Sequence, residues 1–107
     1  MSVRVGIVDS GINLDHPHVG QVMGGVFFHA EDERPDFADR IGHGTAVADV
    51  IREKAPTAEL YAVRIFDRRL SSNIYTLTHG LDWCLDHGIH VVNLSIGTSN
   101  EQHRAPF

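Results

Sequence analysis

Apolar residues in this chain switch between two spacings, and that switching restricts the fold more than any other feature. Val3 to Asp9 places Val3, Val5 and Ile7 at every second position, the period of a strand. Gln21 to His29 is a second strand-like run, weakened by Gly24-Gly25, a pair that points to a bulge or a close backbone approach. Glu59 to Phe66 and His90 to Ile96 are apolar on both faces, as parallel strands covered by helices are. Between these runs the spacing becomes helical. Thr45 to Ala55 sets Ala46, Val47, Val50 and Ile51 on one stripe, carries Arg52 and Lys54 in its last turn and stops before Pro56. A second helix, capped by Ser71 or Ser72, carries Ile74, Leu77, Leu81 and Leu85 and ends at Gly88. The stretch from His29 to Gly42 is polar and acidic and reads as a surface loop.

Strand, helix, strand, helix, strand calls for right-handed crossovers and a parallel sheet. The expectation is a single α/β domain over residues 1–107, with about four parallel strands and crossover helices. In such sheets functional groups collect at the carboxyl ends of strands. Asp9 and Ser95-Ile96-Gly97 both fall there. Nine Lys and Arg against fourteen Asp and Glu give a net charge of −5. With no basic block, neither nucleic acid nor an anionic membrane is an expected partner. No apolar span of membrane length and no leader pattern is visible, and a single cysteine, Cys84, suits a reducing compartment. The cytoplasm is the expected location, and Cys84 is expected to be a packed thiol.

The chemistry-bearing residues are few. Asp9 closes the first strand ahead of Ser10-Gly11, which permits a sharp turn. A carboxylate there can orient an imidazole and stabilise the imidazolium formed during proton transfer. His43 lies between two glycines at the start of the first helix, where the backbone can pack closely and leave the ring open. Each residue alone has an ordinary reading, a turn aspartate and a helix-capping histidine. Together they read as a candidate pair of orienting acid and general base. His16 and His18 have metal-like spacing but no third ligand, and read as a surface loop. His79, His87 and His90 read as solvated, and Trp83 as helix packing.

The residues Val5-Gly-Ile-Val-Asp-Ser-Gly-Ile with Asp15-His16-Pro17 resemble the aspartate motif of the subtilisin-like serine proteases, the subtilases. Gly42-His-Gly-Thr-Ala-Val-Ala resembles their histidine motif, and Asp39 sits where many members carry an acid. Leu60-Tyr-Ala-Val-Arg-Ile and Val91-Val-Asn-Leu-Ser-Ile-Gly resemble the next two core strands. The resemblance implies strand order 2-3-1-4, Asp9 as the orienting acid and His43 as the base. It also implies that Ser95, Ile96 and Gly97 pair with an extended peptide or protein substrate. The family's serine motif and oxyanion-hole asparagine are not found in these 107 residues. Gly97-Thr98-Ser99 imitates the serine motif, but Asn100-Glu101-Gln102 follows instead of a small-residue helix, so Ser99 is rejected as nucleophile. Asp49 stands where a glycine is usual, and the segment from His43 to Leu60 is short. The calcium loop expected there is missing, so no metal or cofactor is expected.

The leading expectation is the Asp- and His-bearing portion of a serine peptidase, incomplete on its C-terminal side and inactive alone. The nucleophile would come from a second chain or from further residues. The apolar fourth-strand edge would be covered by that complementary half or by a second copy of the chain. The competing readings are a non-catalytic peptide-binding or scaffolding domain and, far behind, a nucleotide-binding domain. The latter is disfavoured because no Gly-rich phosphate loop follows the first strand.

Overall fold

A computed structural model describes residues 2–29, 32–68 and 71–95. The elements run β1 (Arg4–Asp9), β2 (Val22–His29), β3 (Asp32–Arg34), α1 (His43–Lys54), β4 (Glu59–Arg64), α2 (Ile74–Asp86) and β5 (Val91–Leu94). The sheet order is β3-β2-β4-β1-β5. Strands β2, β4, β1 and β5 are parallel and stand in the expected 2-3-1-4 order. The difference is β3, which pairs antiparallel with β2 inside the segment expected to be loop. The Gly24-Gly25 expectation holds, because the β2–β4 register shifts between Val22 and Gly24.

The helices cover opposite faces of the sheet. On one face Val5, Ile7, Leu60 and Ala62 pack with Ala48 of α1 and with Ile12 and Val19 of the loop after β1, flanked by Val47 and Ile51. On the other, Val8, Val26, Phe28 and Val63 pack with Cys84 of α2, flanked by Leu77 and Trp83. The inward stripes match those expected only in part: Val47, Ile51 and Leu77 pack against the core, but none of the expected residues is fully buried. In α1 the buried residues are Gly44, Thr45 and Ala48, while Val50 is exposed. In α2 they are Thr76, Gly80 and Cys84, while Ile74 and Leu85 are exposed. Size explains the choice: a Cβ on Gly80 would lie 3.2 Å from Val63 Cγ1, so this turn approaches the sheet closer than a larger residue allows.

Helix ends depart from expectation in detail. Helix α1 starts at His43 rather than Thr45. The cap of α2 is Asn73, whose Oδ1 accepts from Thr76 N at 2.9 Å, rather than Ser71 or Ser72. Asn73 wins because its amide oxygen reaches the third helical N–H from the flanking extended position. Arg52 does more than face the helix dipole: it donates to the carbonyls of Val19, Gln21, Pro56 and Ala58 and pins two loops to the end of α1. Cys84 is buried, and burial pushes its thiol up to about 11, a packed and unreactive state. Strand β5 is the edge that the 2-3-1-4 order implies, but its faces are not covered as expected, since Val91 and Val92 are exposed. No helix among the described residues is long and apolar enough to cross a membrane.

Candidate active site

Asp9 is the last residue of the interior strand β1, between β4 and β5, and it is fully buried. A carboxylate in that position must be hydrogen-bonded to remain there. Its Oδ1 accepts from the Ser10 N–H at 2.7 Å. His43, the first residue of α1, supplies the remaining partner: Nδ1 lies 2.8 Å from Oδ2 and 3.0 Å from Oδ1. A carboxylate only accepts, so Nδ1 carries the hydrogen and the neutral ring keeps its lone pair on Nε2. The His43 side chain is 45% exposed. Residues distant in sequence thus bring together a buried acid and an oriented, half-exposed imidazole.

The approach depends on two glycines. A Cβ on Gly44 would lie 2.1 Å from the Gly11 carbonyl oxygen, and one on Gly11 would lie 2.2 Å from that of Phe37. The first turn of α1 therefore rests directly on the backbone that follows Asp9.

Beneath this pair lies a polar cluster. Asp39 Oδ1 accepts from Ser10 Oγ at 2.8 Å, Ile41 N at 2.9 Å and Gly42 N at 2.7 Å. Its Oδ2 accepts from Thr45 N at 3.0 Å and Thr45 Oγ1 at 2.6 Å. Burial opposes ionisation of Asp39, but the donors of Gly42, Thr45 and Ile41 outweigh it and hold the carboxyl below its ordinary range. The sequence marked Asp39 only through the family resemblance; the hydroxyls of Ser10 and Thr45 went unmarked, although each adjoins or lies within a motif.

At the end of β4, Arg64 is buried against the ring of Phe27, 3.7 Å from its centroid. It donates to the carbonyls of Phe66 and Asp36 at 3.1 Å each and to Asp67 Oδ1 at 2.9 Å. The segment carrying Asp39 is anchored in this way from below. Nothing in its strand-type surroundings singles out Arg64 as a buried cation.

Ser95 lies just past β5. Val8 is in register with Leu94, and Ser95 N donates to the Val8 carbonyl at 3.2 Å, which brings Ser95 to the level of Asp9. It lines a hollow of about 140 Å³ with Ile65, Phe66, Ser72, Asn73, Ile74 and Leu77. Ile96 and Gly97, the other two residues of the expected substrate strand, lie outside the described residues, as does Ser99. His16 and His18 neighbour one another in the loop after β1, their rings 5.7 Å apart. No group of three or more metal-ligating side chains occurs among the described residues. His87 stacks on Trp83 with ring centroids 3.8 Å apart.

The parallel part of the sheet thus carries an acid at the end of the interior strand β1 and a histidine at the start of α1, with Nδ1 2.8 Å from Oδ2. The chain belongs to the subtilase family, which matches it over residues 1–107. It is 33% identical over 106 residues to the thermostable alkaline protease of Halalkalibacterium halodurans, covering 91% of this chain and 28% of that protein. It is 33% identical over 105 residues to subtilisin E of Bacillus subtilis, covering 90% and 27%. With subtilisin Savinase of Lederbergia lenta the identity is 36% over 105 residues, covering 90% and 38%. The chain thus spans between about a quarter and two fifths of the length of these curated relatives.

Proposed function

We propose that this chain supplies the acid, the base and the substrate strand of a subtilisin-like serine endopeptidase. The observation carrying the reading is the 2.8 Å contact between buried Asp9 and half-exposed His43. In this mechanism His43 Nε2 takes the proton of a serine hydroxyl as that oxygen attacks the scissile carbonyl. Asp9 stabilises the resulting imidazolium, which then protonates the leaving amine. Ser95, Ile96 and Gly97 pair with the extended substrate through main-chain hydrogen bonds. The hollow beside Ser95 accommodates an apolar substrate side chain.

The nucleophilic serine and the oxyanion donors come from residues other than these 107. We place them in a complementary half that docks along the β5 edge, where Val91 and Val92 are exposed. Without that half the chain hydrolyses no peptide at a useful rate, since loss of the nucleophile costs about 10⁶-fold in turnover in a subtilisin. The lone cysteine supports a cytoplasmic location.

A fluorophosphonate probe tests the reading, applied to the chain alone and mixed with serine-bearing candidate halves. The expected result is a labelled partner serine whose labelling disappears in His43→Ala. No labelling in any combination would replace the peptidase with a peptide-binding or scaffolding domain. Labelling of Ser99 in the isolated chain would overturn the assignment of the nucleophile to another segment.

A further inference from the structure

We propose that Asp39 and Ser10 are positioning residues that fix the Asp9–His43 geometry by closing one hydrogen-bonded ring across it. The inference rests on the reading of Asp9 and His43 as the acid and base, and deepens it.

The argument begins with a deficit. His43 is the first residue of α1, so its ring sits wherever the first helical turn sits. The N-cap position is Gly42, which has no side chain to hold the free N–H groups of that turn. They are held from elsewhere. Gly44 N donates to Ser10 Oγ at 2.9 Å, and Thr45 N donates to Asp39 Oδ2 at 3.0 Å. Ser10 is the residue after Asp9, and Gly44 is the residue after His43. One hydroxyl therefore ties the neighbour of the acid to the neighbour of the base.

The direction of each hydrogen bond follows from valence. Ser10 Oγ already accepts from Gly44 N, so its own hydrogen must find another acceptor, and Asp39 Oδ1 stands 2.8 Å away. Thr45 Oγ1 accepts from Asn13 N at 2.9 Å and in the same way gives its hydrogen to Asp39 Oδ2. The carboxylate thus receives from both hydroxyls while also receiving from three backbone N–H groups. The ring runs from Asp39 Oδ1 through Ser10 Oγ and the Gly44-Thr45 backbone to Asp39 Oδ2. Only a group with two accepting oxygens can close it. Asparagine offers one, and its NH₂ would face a donor on the other side. Asp39 does not touch the reacting atoms. Its effect on His43 runs through the position of the first turn.

The test is proton NMR of the 107-residue chain with ¹⁵N-labelled histidine, read at the His43 Nδ1–H. Wild type is expected to show a downfield, slowly exchanging resonance. Asp39→Asn and Ser10→Ala are expected to exchange that proton roughly tenfold faster, the factor set by losing one hydrogen bond at the upper end of the usual range. Thr45→Ser keeps the hydroxyl and is expected to keep the wild-type signal. Val63→Ala, in the opposite core, supplies a variant destabilised without touching the ring. Should Asp39→Asn not fold, Ser10→Ala carries the comparison. Exchange in the ring variants no faster than in Val63→Ala would make Asp39 and Ser10 structural only and overturn the proposal. So would the lack of any protected Nδ1–H in wild type. The readout needs no turnover. If the ring variants behave as expected but the fluorophosphonate experiment fails, the catalytic reading falls and the geometric coupling stands.

Discussion

Gly44→Ala sets two effects against each other and lets their sizes decide. Gly44 is the second residue of α1 and has ordinary helical geometry, so alanine raises intrinsic helix propensity by about 1 kcal/mol. Against this, the new Cβ would sit 2.1 Å from the Gly11 carbonyl oxygen, whereas real Cβ contacts essentially never fall below 3.0 Å. The obstacle is backbone, so no rotamer change relieves it. The first turn must retreat by about 0.9 Å. A retreat of that size takes the 2.9 Å bond from Gly44 N to Ser10 Oγ and the 2.8 Å contact from His43 to Asp9 toward or beyond hydrogen-bond range. Overpacking costs about 1–3 kcal/mol and each weakened hydrogen bond about 1 kcal/mol. The losses exceed the propensity gain, leaving a net destabilisation of about 3 kcal/mol. Urea unfolding measures it, with the His43 Nδ1–H resonance as a second probe. Gly42→Ala is the built-in contrast. Its Cβ would meet nothing within 4 Å, and only the φ of 104° opposes it, a strain of about 1–2 kcal/mol. A Gly44→Ala chain as stable as wild type, with its Nδ1–H signal intact, would refute the claim that backbone contact sets the Asp9–His43 distance.

Two further perturbations test the ground beneath the site. Because the Asp39 carboxyl lies below its ordinary value in the folded chain, its contribution to stability is full above about pH 4 and is lost as pH falls through the folded value. The urea midpoint of wild type should therefore drop on acidification below pH 4 more steeply than that of Asp39→Asn, and parallel curves would contradict this. At Arg64, burial pulls the guanidinium below its usual pKa, with Asp67 and Asp36 opposing. Arg64→Met leaves the carbonyls of Phe66 and Asp36 without this donor, an expected loss of about 3 kcal/mol in chemical denaturation. Arg64→Lys should recover little of it, because one ammonium cannot span three acceptors in a planar fork; full recovery would count against the stated geometry.

The parallel strands and both helices were legible because periodicity and turn residues report backbone class, whereas the order of the strands came with the family resemblance. Other features left no such trace. Strand β3 is three exposed residues, Asp32-Glu33-Arg34, paired to β2 through its main chain. It carries no apolar alternation to read. The helix faces were only partly legible for a different reason. Hydropathy ranks Leu85 above Gly80, but the close packing of α2 on Val63 and Ile65 selects for small size, so the glycine goes inward and the leucine outward.

The same distinction governs the site. Asp9 and His43 could be read from the sequence because each lies in a compact motif whose glycines advertise close approach. Asp39 lies four residues before His43 and 29 beyond Ser10, and nothing in that spacing says which hydroxyl it meets. What selects it is an accounting requirement. A helix capped by glycine must have its first N–H groups satisfied by other segments, and a buried serine that accepts from one of them must donate elsewhere. Applied to Gly42 and Ser10, these requirements demand a nearby acceptor with two oxygens, and Asp39 is the acid placed to meet both. A motif search finds the residues that act on the substrate. The residues that hold them at 2.8 Å emerge only when the N–H groups of Gly44 and Thr45 in the first turn of α1 are assigned their acceptors.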